Sequence, residues 1–410
     1  MKRNVIFHVD VNSAFLSWSA VHHLQMVGKE DLRLIPSVVG GDPAKRHGVV
    51  LAKSVPARKY GVKTGESLYS ALKKCPGLKV VSPKSGIYTK ASRAMYALLN
   101  EYSDNVEKYS IDESFMAMGQ MEMEDALETA REISDRTLEE LGFTVNIGIS
   151  TVKLLAKMAS DFKKPKGIHT LYPEEIEEKM WPLPVNDLFM VGPKMAEKLK
   201  DLNIMTIGKL AHTDPVFLKD RFMSYGMMLH AFANGRDTSG VHSEGRGETK
   251  GVGNSTTLSR DVSDLRTLDI TLLSLLETLI PRLKALDKKA LTVKVHYTTP
   301  EFKVKSRQRT LKEPTDSLKT VYKVSREVLR GLWDGKPIRK LGIGVTNLTE
   351  CTAEQLTMFD YKDKLKNEKV EDTILKIREK FGDDSLIRAS FISSDTESHR
   401  GGTENGGFSE

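Results

Sequence analysis

The sequence predicts a multi-domain α+β protein, and three observations carry that prediction. At 410 residues the chain exceeds one ordinary core, and at roughly 150 residues per domain it divides into two to four. Over the first 170 residues, short β-branched runs are interspersed with helical stretches, which makes a mixed layer of strands and helices. A helical pattern and then a second strand–helix pattern follow it.

Residues 5–9, Val-Ile-Phe-His-Val, read as a short buried strand, and residues 49–52 and 80–81 look similar. Residues 143–149 alternate and put Val145, Ile147 and Ile149 on one face. Helical stretches fall at 91–99 and 125–141. A second segment begins near Tyr172-Pro173, stiffened by Trp181-Pro182-Leu183-Pro184, and reads as short helices over 185–235. Residues 238–253 carry Gly240, Gly245, Gly247, Gly251 and Gly253 with few apolar residues, the composition of a linker. The third domain, from 254 to about 350, holds helical patterns at 265–286 and 316–332. These separate strands at 291–297, 303–311 and 341–348. After Cys351 come a helix at about 369–381 and a Gly/Ser/Glu tail from 393, expected to be disordered.

Composition narrows the function class. Hydrophobic residues at 39% and charged residues at 29% allow sizeable cores and exclude a wholly disordered chain. Lys plus Arg number 62 against 55 Asp plus Glu, a net charge of +7, which favours a polyanion only where it is concentrated. It is: residues 240–350 hold 21 Lys/Arg against 13 Asp/Glu, an excess of eight. Two cysteines, Cys75 and Cys351, exclude a disulfide scaffold and a cysteine-rich zinc module. No apolar run is long enough to span a membrane, and the N-terminal apolar stretch is too short for a signal peptide. The expectation is a cytoplasmic, monomeric protein without a membrane partner.

Two acidic clusters stand at strand ends. Asp10 closes the first strand, and Asp112-Glu113 lie in Tyr109-Ser110-Ile111-Asp112-Glu113-Ser114-Phe115. Carboxylates on central strands are costly unless neutralised, and three converging carboxylates can hold two divalent cations for phosphoryl displacement. On residue types alone Asp10 reads equally as a helix N-cap and Asp112-Glu113 as a turn. Two basic groups, residues 54–62 and 149–167, suit a nucleotide triphosphate or form a solvated face. Lys303, Lys305, Arg307 and Arg309 recur every second residue, so a strand sets all four on one face. Such a row repels itself unless it meets solvent or phosphates; an edge strand guarded by charge is the other reading.

The order and spacing of the Asp10 segment, Ala57-Arg58-Lys59-Tyr60-Gly61-Val62, Ser110-Ile111-Asp112-Glu113 and residues 157–167 resemble a Y-family DNA polymerase of the DinB type. The likeness spans about residues 4–360. It implies a right-hand polymerase: palm and fingers at 1–170 (fingers about 12–78), a helical thumb at 171–237 and a linker at 238–253. A little-finger domain follows at 254–350. Residues 351–410 then hold a clamp-binding peptide, a short helix and the tail. It implies Asp10, Asp112 and Glu113 as catalytic, metal-binding carboxylates with the Val11 carbonyl as a further ligand, and two Mg²⁺ ions per site. Phe15 falls on the steric-gate position, and Arg58 and Lys164 match the triphosphate contacts.

The likeness also has departures. Val55 and Ala52 stand where the family has phosphate-bonding Tyr and Thr, and Asn12 and Ala14 depart from the first motif. The triphosphate grip is therefore expected to be weaker, or rerouted through Lys53 or Ser54. Residues 189–199 resemble the thumb's helix-hairpin-helix, with Gly192 and Lys194 at the phosphate and Pro193 in place of a donor. Gln355-Leu356-Thr357-Met358-Phe359 resembles the peptide that binds the bacterial sliding clamp. The implied activity is error-prone, template-directed translesion synthesis on primer-template DNA from dNTPs, without proofreading. A UmuC-type subunit needing an accessory protein and a non-catalytic DNA- and clamp-binding homologue are the alternatives.

Overall fold

The β-branched and aromatic run near the N-terminus forms the central strand β1 (Arg3–Val11). The structure, a computed structural model, describes residues 2–28, 30–42, 48–243, 249–350, 361–382 and 385–392. It divides into two compact units, residues 1–41 with 48–247 and residues 42–47 with 248–410.

In the first unit, β1 leads into α1 (Ala14–Val27) and then a small sheet of β2 (Ser37–Gly40), β3 (Val50–Lys53) and β4 (Lys79–Val81). Helices α2 (Val55–Lys59) and α3 (Leu68–Lys74) lie between β3 and β4. The chain continues through α4 (Ser85–Asn100), β5 (Val106–Lys108), β6 (Glu113–Met121) and α5 (Met123–Leu141). It then forms β7 (Val145–Ser150), α6 (Lys153–Ser160) and β8 (Ile168–Thr170). The large sheet has the order β5-β6-β1-β7-β8, with β1 antiparallel to both neighbours.

The two faces of β1 have different tasks. Val5, Phe7, Val9 and Val11 join Trp18, Met95, Leu99 and Ile133 in a core beneath the sheet. His8 and Asp10 point the other way, towards the side covered by α6. Gly148, paired with His8, lets α6 lie directly on the strand: a Cβ there would stand 1.9 Å from the Ala156 carbonyl oxygen. That close approach brings the side chains of α6 to the strand ends.

The helical segment expected after residue 172 is present as α7 (Pro193–Asp201), α8 (Ile207–Ala211) and α9 (Pro215–Ala233), the last kinked at Met223. Its core includes Leu188, Leu199, Leu210 and Leu229 packed with Leu155 and Met158 of α6.

The second unit carries a four-stranded sheet of order β11-β10-β12-β9, from β9 (Gly251–Val262), β10 (Lys288–Thr298), β11 (Val304–Thr315) and β12 (Ile338–Glu350). Helices α10 (Leu265–Ala285) and α11 (Leu318–Leu332) pack against one face. The glycine-rich run read as a linker to residue 253 ends inside this sheet, because β9 begins at Gly251. The missing side chain is used there: a Cβ on Gly251 would lie 2.7 Å from the Val345 carbonyl. Helix α12 (Tyr361–Phe381) and the short α13 (Ala389–Ile392) follow, and Phe391 is buried in the same core. The segment Gln355, Leu356, Met358 and Phe359 lies outside the described residues, as do Cys351 and the tail from 393. No helix among the described residues is long and apolar enough to cross a membrane.

Candidate active site

Asp10 sits at the end of β1 with Glu113 as its partner on β6 and Asn146 as its partner on β7. The Val11 amide donates to the Asp112 carbonyl at 3.0 Å, so the turn before β6 is tied to the end of β1. The Ser110 hydroxyl donates to the Asp112 carboxylate at 2.6 Å. Asp10 and Glu113, far apart in sequence, thus meet on paired strands, and the Val11 amide ties the backbone of Asp112 beside them.

Two ammonium groups lie among these carboxylates. Lys157, from α6, is ion-paired with Glu113 and stands 3.9 Å from Asp10 and 3.4 Å from Asp161. Lys164 is ion-paired with Asp10 and lies 2.8 Å from Asp161. Burial pushes the Asp10 carboxyl up to about 6, against the lowering pull of Lys164 and Lys157. Burial also pulls the Lys157 ammonium down, but Glu113, Asp161 and Asp10 outweigh it and hold the group above its ordinary value. The same balance holds for Lys164, where burial is outweighed by Asp10 and Asp161.

Asn146 positions the loop that carries Lys164. Its amide nitrogen donates to the Ser160 and Lys163 carbonyls at 3.0 Å each, and its oxygen accepts from the Gly167 amide at 3.0 Å. His8 is fully buried beside it, with Nδ1 2.8 Å from the Ser160 hydroxyl. Ser160 spends its own hydrogen on the Lys157 carbonyl, so His8 donates from Nδ1 and presents a bare Nε2. That nitrogen has no hydrogen-bond partner and lies 4.0 Å from Glu113. Burial first, and then Lys157, Lys164 and Lys153, hold His8 well below its ordinary value and keep it neutral.

The donor set suits a hard divalent cation. Every side-chain donor is a carboxylate oxygen, and the pocket already gathers positive charge. Among the described residues, no three His, Cys, Asp or Glu side chains stand in ready ligand geometry. The ammonium groups of Lys157 and Lys164 lie against the carboxylates instead.

Phe15 stands in the first turn of α1, half-buried, with its ring edge-on to Tyr88 at 4.9 Å and Trp18 at 6.1 Å. Arg58 is exposed on α2. Burial and then the charge of Arg58 hold the nearby Lys53 below its ordinary value. Ser54 is not free to reroute a phosphate. It is 2% exposed, donates to the Ile35 carbonyl at 2.7 Å, and accepts from the Ser37 and Ala57 amides. It caps α2 and ties it to β2, which corrects that half of the expected substitution. Gly192 is the N-cap of α7, with Pro193 in the first turn and Lys194 exposed beside it.

The basic row of the second unit needs a correction of its surroundings. Lys305, Arg307 and Arg309 do share a face, but they pair in register with Tyr297, Val295 and Val293, whose side chains are buried on the helix-covered side. Their self-repulsion is relieved from α11 and the loop after it. Lys305 meets Asp334 at 2.9 Å, Arg307 donates to the Gly331 carbonyl at 2.6 Å, and Arg309 is ion-paired with Glu327. Lys303 lies just before β11. The opposite, open face carries Lys294, His296, Ser306, Gln308 and Lys340, with Gly342 and Gly344 between them. His296 lies across Gly342, where a Cβ would stand 2.3 Å from its ring.

Comparison with known proteins fits this arrangement. Residues 9–161 match the impB/mucB/samB family, residues 173–204 that family's HHH motif, and residues 249–358 its C-terminal domain. DNA polymerase IV of Clostridium acetobutylicum is 46% identical over 389 residues, covering 95% of this chain and 98% of the relative. The chain belongs to the Y family of DNA polymerases. DNA polymerase IV 1 of Bacillus subtilis is 37% identical over 405 residues, covering 98% of this chain and 96% of that one. Among solved structures, a Y-family DNA polymerase chimera superposes with a TM-score of 0.73 at 24% identity, over 85% of this chain and all of that one. An insertion ternary complex of Dbh DNA polymerase gives 0.57 at 23% identity, again over 85% of this chain. The architecture is therefore that of a multi-domain Y-family polymerase, a metal-dependent class of enzyme.

Of the residues gathered around these strand ends, Asp10, Asp112, Glu113 and Lys164 are those the sequence picks out. Lys157, Asp161 and Asn146 are not, although all three lie within or beside the motifs.

Proposed function

We propose that the chain is a DNA-directed DNA polymerase of the DNA polymerase IV type, which extends a primer across damaged template. The observation that carries this reading is the pairing of Asp10 with Glu113 across β1 and β6, with Asp112 tied to Val11, in a chain of this family. Neither the accessory-dependent nor the non-catalytic reading is favoured by relatives that carry the name DNA polymerase IV over nearly their full length.

Asp10, Asp112 and Glu113, with the Val11 carbonyl, hold Mg²⁺, two ions per site in this proposal. Bound there, the metal supplies charge neutralisation at the attacking and departing oxygens of a phosphoryl displacement. The chain's own residues do the rest. Lys164, a third exposed on its loop, turns from Asp10 towards the incoming triphosphate, and Arg58 grips the same anion from α2. Lys53 remains as the supplementary cation where the family's Tyr and Thr are missing. Phe15, buttressed by Tyr88, closes the space that a ribose 2′-hydroxyl would need. The primer 3′-hydroxyl attacks the α-phosphate of the dNTP and pyrophosphate leaves. In this reading base-pair shape is checked weakly and synthesis proceeds without proofreading.

The domain division follows the same reading: palm and fingers to residue 170, thumb to 237, linker, then little finger to 350. DNA is held at the α7 start, Gly192 and Lys194, and along Lys303, Lys305, Arg307 and Arg309, to which Lys294 and Lys340 of the open face are added. The protein acts as a monomer and is tethered to the sliding clamp by Gln355, Leu356, Met358 and Phe359. Primer extension by the isolated chain with Mg²⁺, compared with an Asp112→Ala/Glu113→Ala variant, tests the reading; equal extension by both would overturn it.

A further inference from the structure

Lys157 has a buried ammonium and three acidic neighbours. It is 8% exposed, ion-paired with Glu113, 3.9 Å from Asp10 and 3.4 Å from Asp161. Its backbone is fixed in α6, which Gly148 seats on β7 and which Leu154, Leu155 and Met158 anchor in a core. The side chain is therefore largely shut off from the bulk, with three carboxylates in its reach. Lys164 differs: it is a third exposed and comes from a loop.

Resting on the reading of Asp10 and Glu113 as metal ligands, we propose that Lys157 stands in for the divalent cation. Without metal, its ammonium keeps Asp10 and Glu113 facing each other. Metal binds by displacing it from Glu113 onto Asp161.

The physical case is direct. Side chains of paired residues on antiparallel strands lie within a few ångströms of each other, so two carboxylates there repel strongly once desolvated. Carboxylates so close need a counter-charge between them; Lys157 supplies it at Glu113 and shares Asp10 with the more exposed Lys164. A divalent ion carries twice the charge and wins the exchange. Asp161, one helical turn beyond Lys157 and half-exposed, is already within ion-pair distance of the displaced ammonium. The exchange loosens metal affinity, because every ion that enters has to break an existing pair.

The test uses the full chain with Mn²⁺ as probe, free ion read by electron paramagnetic resonance, and thermal melting in chelator. Lys157→Met removes the competing charge at similar volume. It should melt at a lower temperature in chelator and bind Mn²⁺ about tenfold more tightly, the size of one partly buried pair. Folding of Lys157→Met only when Mn²⁺ is supplied would support the proposal equally. Asp161→Asn removes the alternative partner and should weaken Mn²⁺ binding severalfold with little change of melting. Tighter binding that fails to appear in Lys157→Met, or unchanged affinity in Asp161→Asn, would overturn the stand-in role. Failure of the underlying reading looks different: Mn²⁺ would then bind the wild type and Asp10→Asn alike.

Discussion

Asp10 and Glu113 occupy opposite positions on β1 and β6, and the Lys157 ammonium pairs with Glu113 while standing 3.9 Å from Asp10. Carboxylates so placed have few structural uses, because burial penalises the charge of Asp10 and a packed hydrophobic pair would be at least as stable. Conversion of Asp10 to Asn or Glu113 to Gln keeps the volume and removes the charge. Each should lower single-nucleotide insertion on the order of 10²–10³-fold, as loss of a group that stabilises transition-state charge does. Steady-state primer extension measures it, and insertion within a few-fold of wild type in both variants would remove these residues from the reaction.

Phe15 is held by aromatic neighbours, not by a loop. Tyr88 meets it edge-on at 4.9 Å, and the Tyr88 hydroxyl is itself 3.0 Å from that of Ser19. A wall of this kind rejects an added hydroxyl by about 10²-fold. Phe15→Ala should erase most of that discrimination, read as the ratio of kcat/KM for dNTP and rNTP. A ratio unchanged by the substitution would assign Phe15 to packing alone.

The salt dependence of DNA binding should separate the two faces of the second unit's sheet. Lys305, Arg307 and Arg309 already have partners in Asp334, the Gly331 carbonyl and Glu327, whereas Lys294 and Lys340 sit on the open face. Each phosphate neutralised adds about 0.9 to the slope of log K against log salt. Replacing Lys294 and Lys340 by Ala should therefore flatten that slope by about 2, and replacing the three paired residues should flatten it by less than their number. Fluorescence anisotropy on a primer-template across a KCl series reads both. The opposite ranking would make the edge strand the principal DNA contact.

The same residues show what the sequence could and could not disclose. β1 was legible because a β-branched run buried on both faces admits few other conformations, and Asp10 was legible because charge at its end needs a partner. The alternation of Lys303 to Arg309 shows that they share a face. Only the register with Val293, Val295 and Tyr297 tells which face, and that depends on pairing with a distant strand. Lys157 was hidden for a related reason: its reach into the carboxylates depends on how closely α6 approaches β7, which Gly148 permits. Asn146 looks like any polar strand residue until its amide is seen holding the Ser160 and Lys163 carbonyls. Ser54 was misread because its capping role in α2 consumes the hydroxyl.

The C-terminal helix should be an integral part of the second unit. Glu277 on α10 is 2% exposed and ion-paired with both Arg378 of α12 and Arg388. Arg378 also donates to the Leu386 carbonyl at 2.8 Å, which closes the turn between α12 and α13. Burial pushes the Glu277 carboxyl up, but hydrogen bonds and charge from Arg388 and Arg378 outweigh it and hold the group below its ordinary value. A carboxyl depressed on folding contributes stability above the ordinary Glu value of 4.5, and that contribution fades as pH falls through the lower folded value. Arg378→Met leaves a buried carboxylate with half its partners and should cost about 3–5 kcal/mol near neutrality. In the variant, Glu277 takes up a proton more readily, so the gap to wild type should narrow below about pH 4.5. Calorimetric melting of the full chain between neutrality and that pH measures the gap. A gap that is small at neutrality, or that stays constant on acidification, would mean that α12 rests on the domain without being part of it.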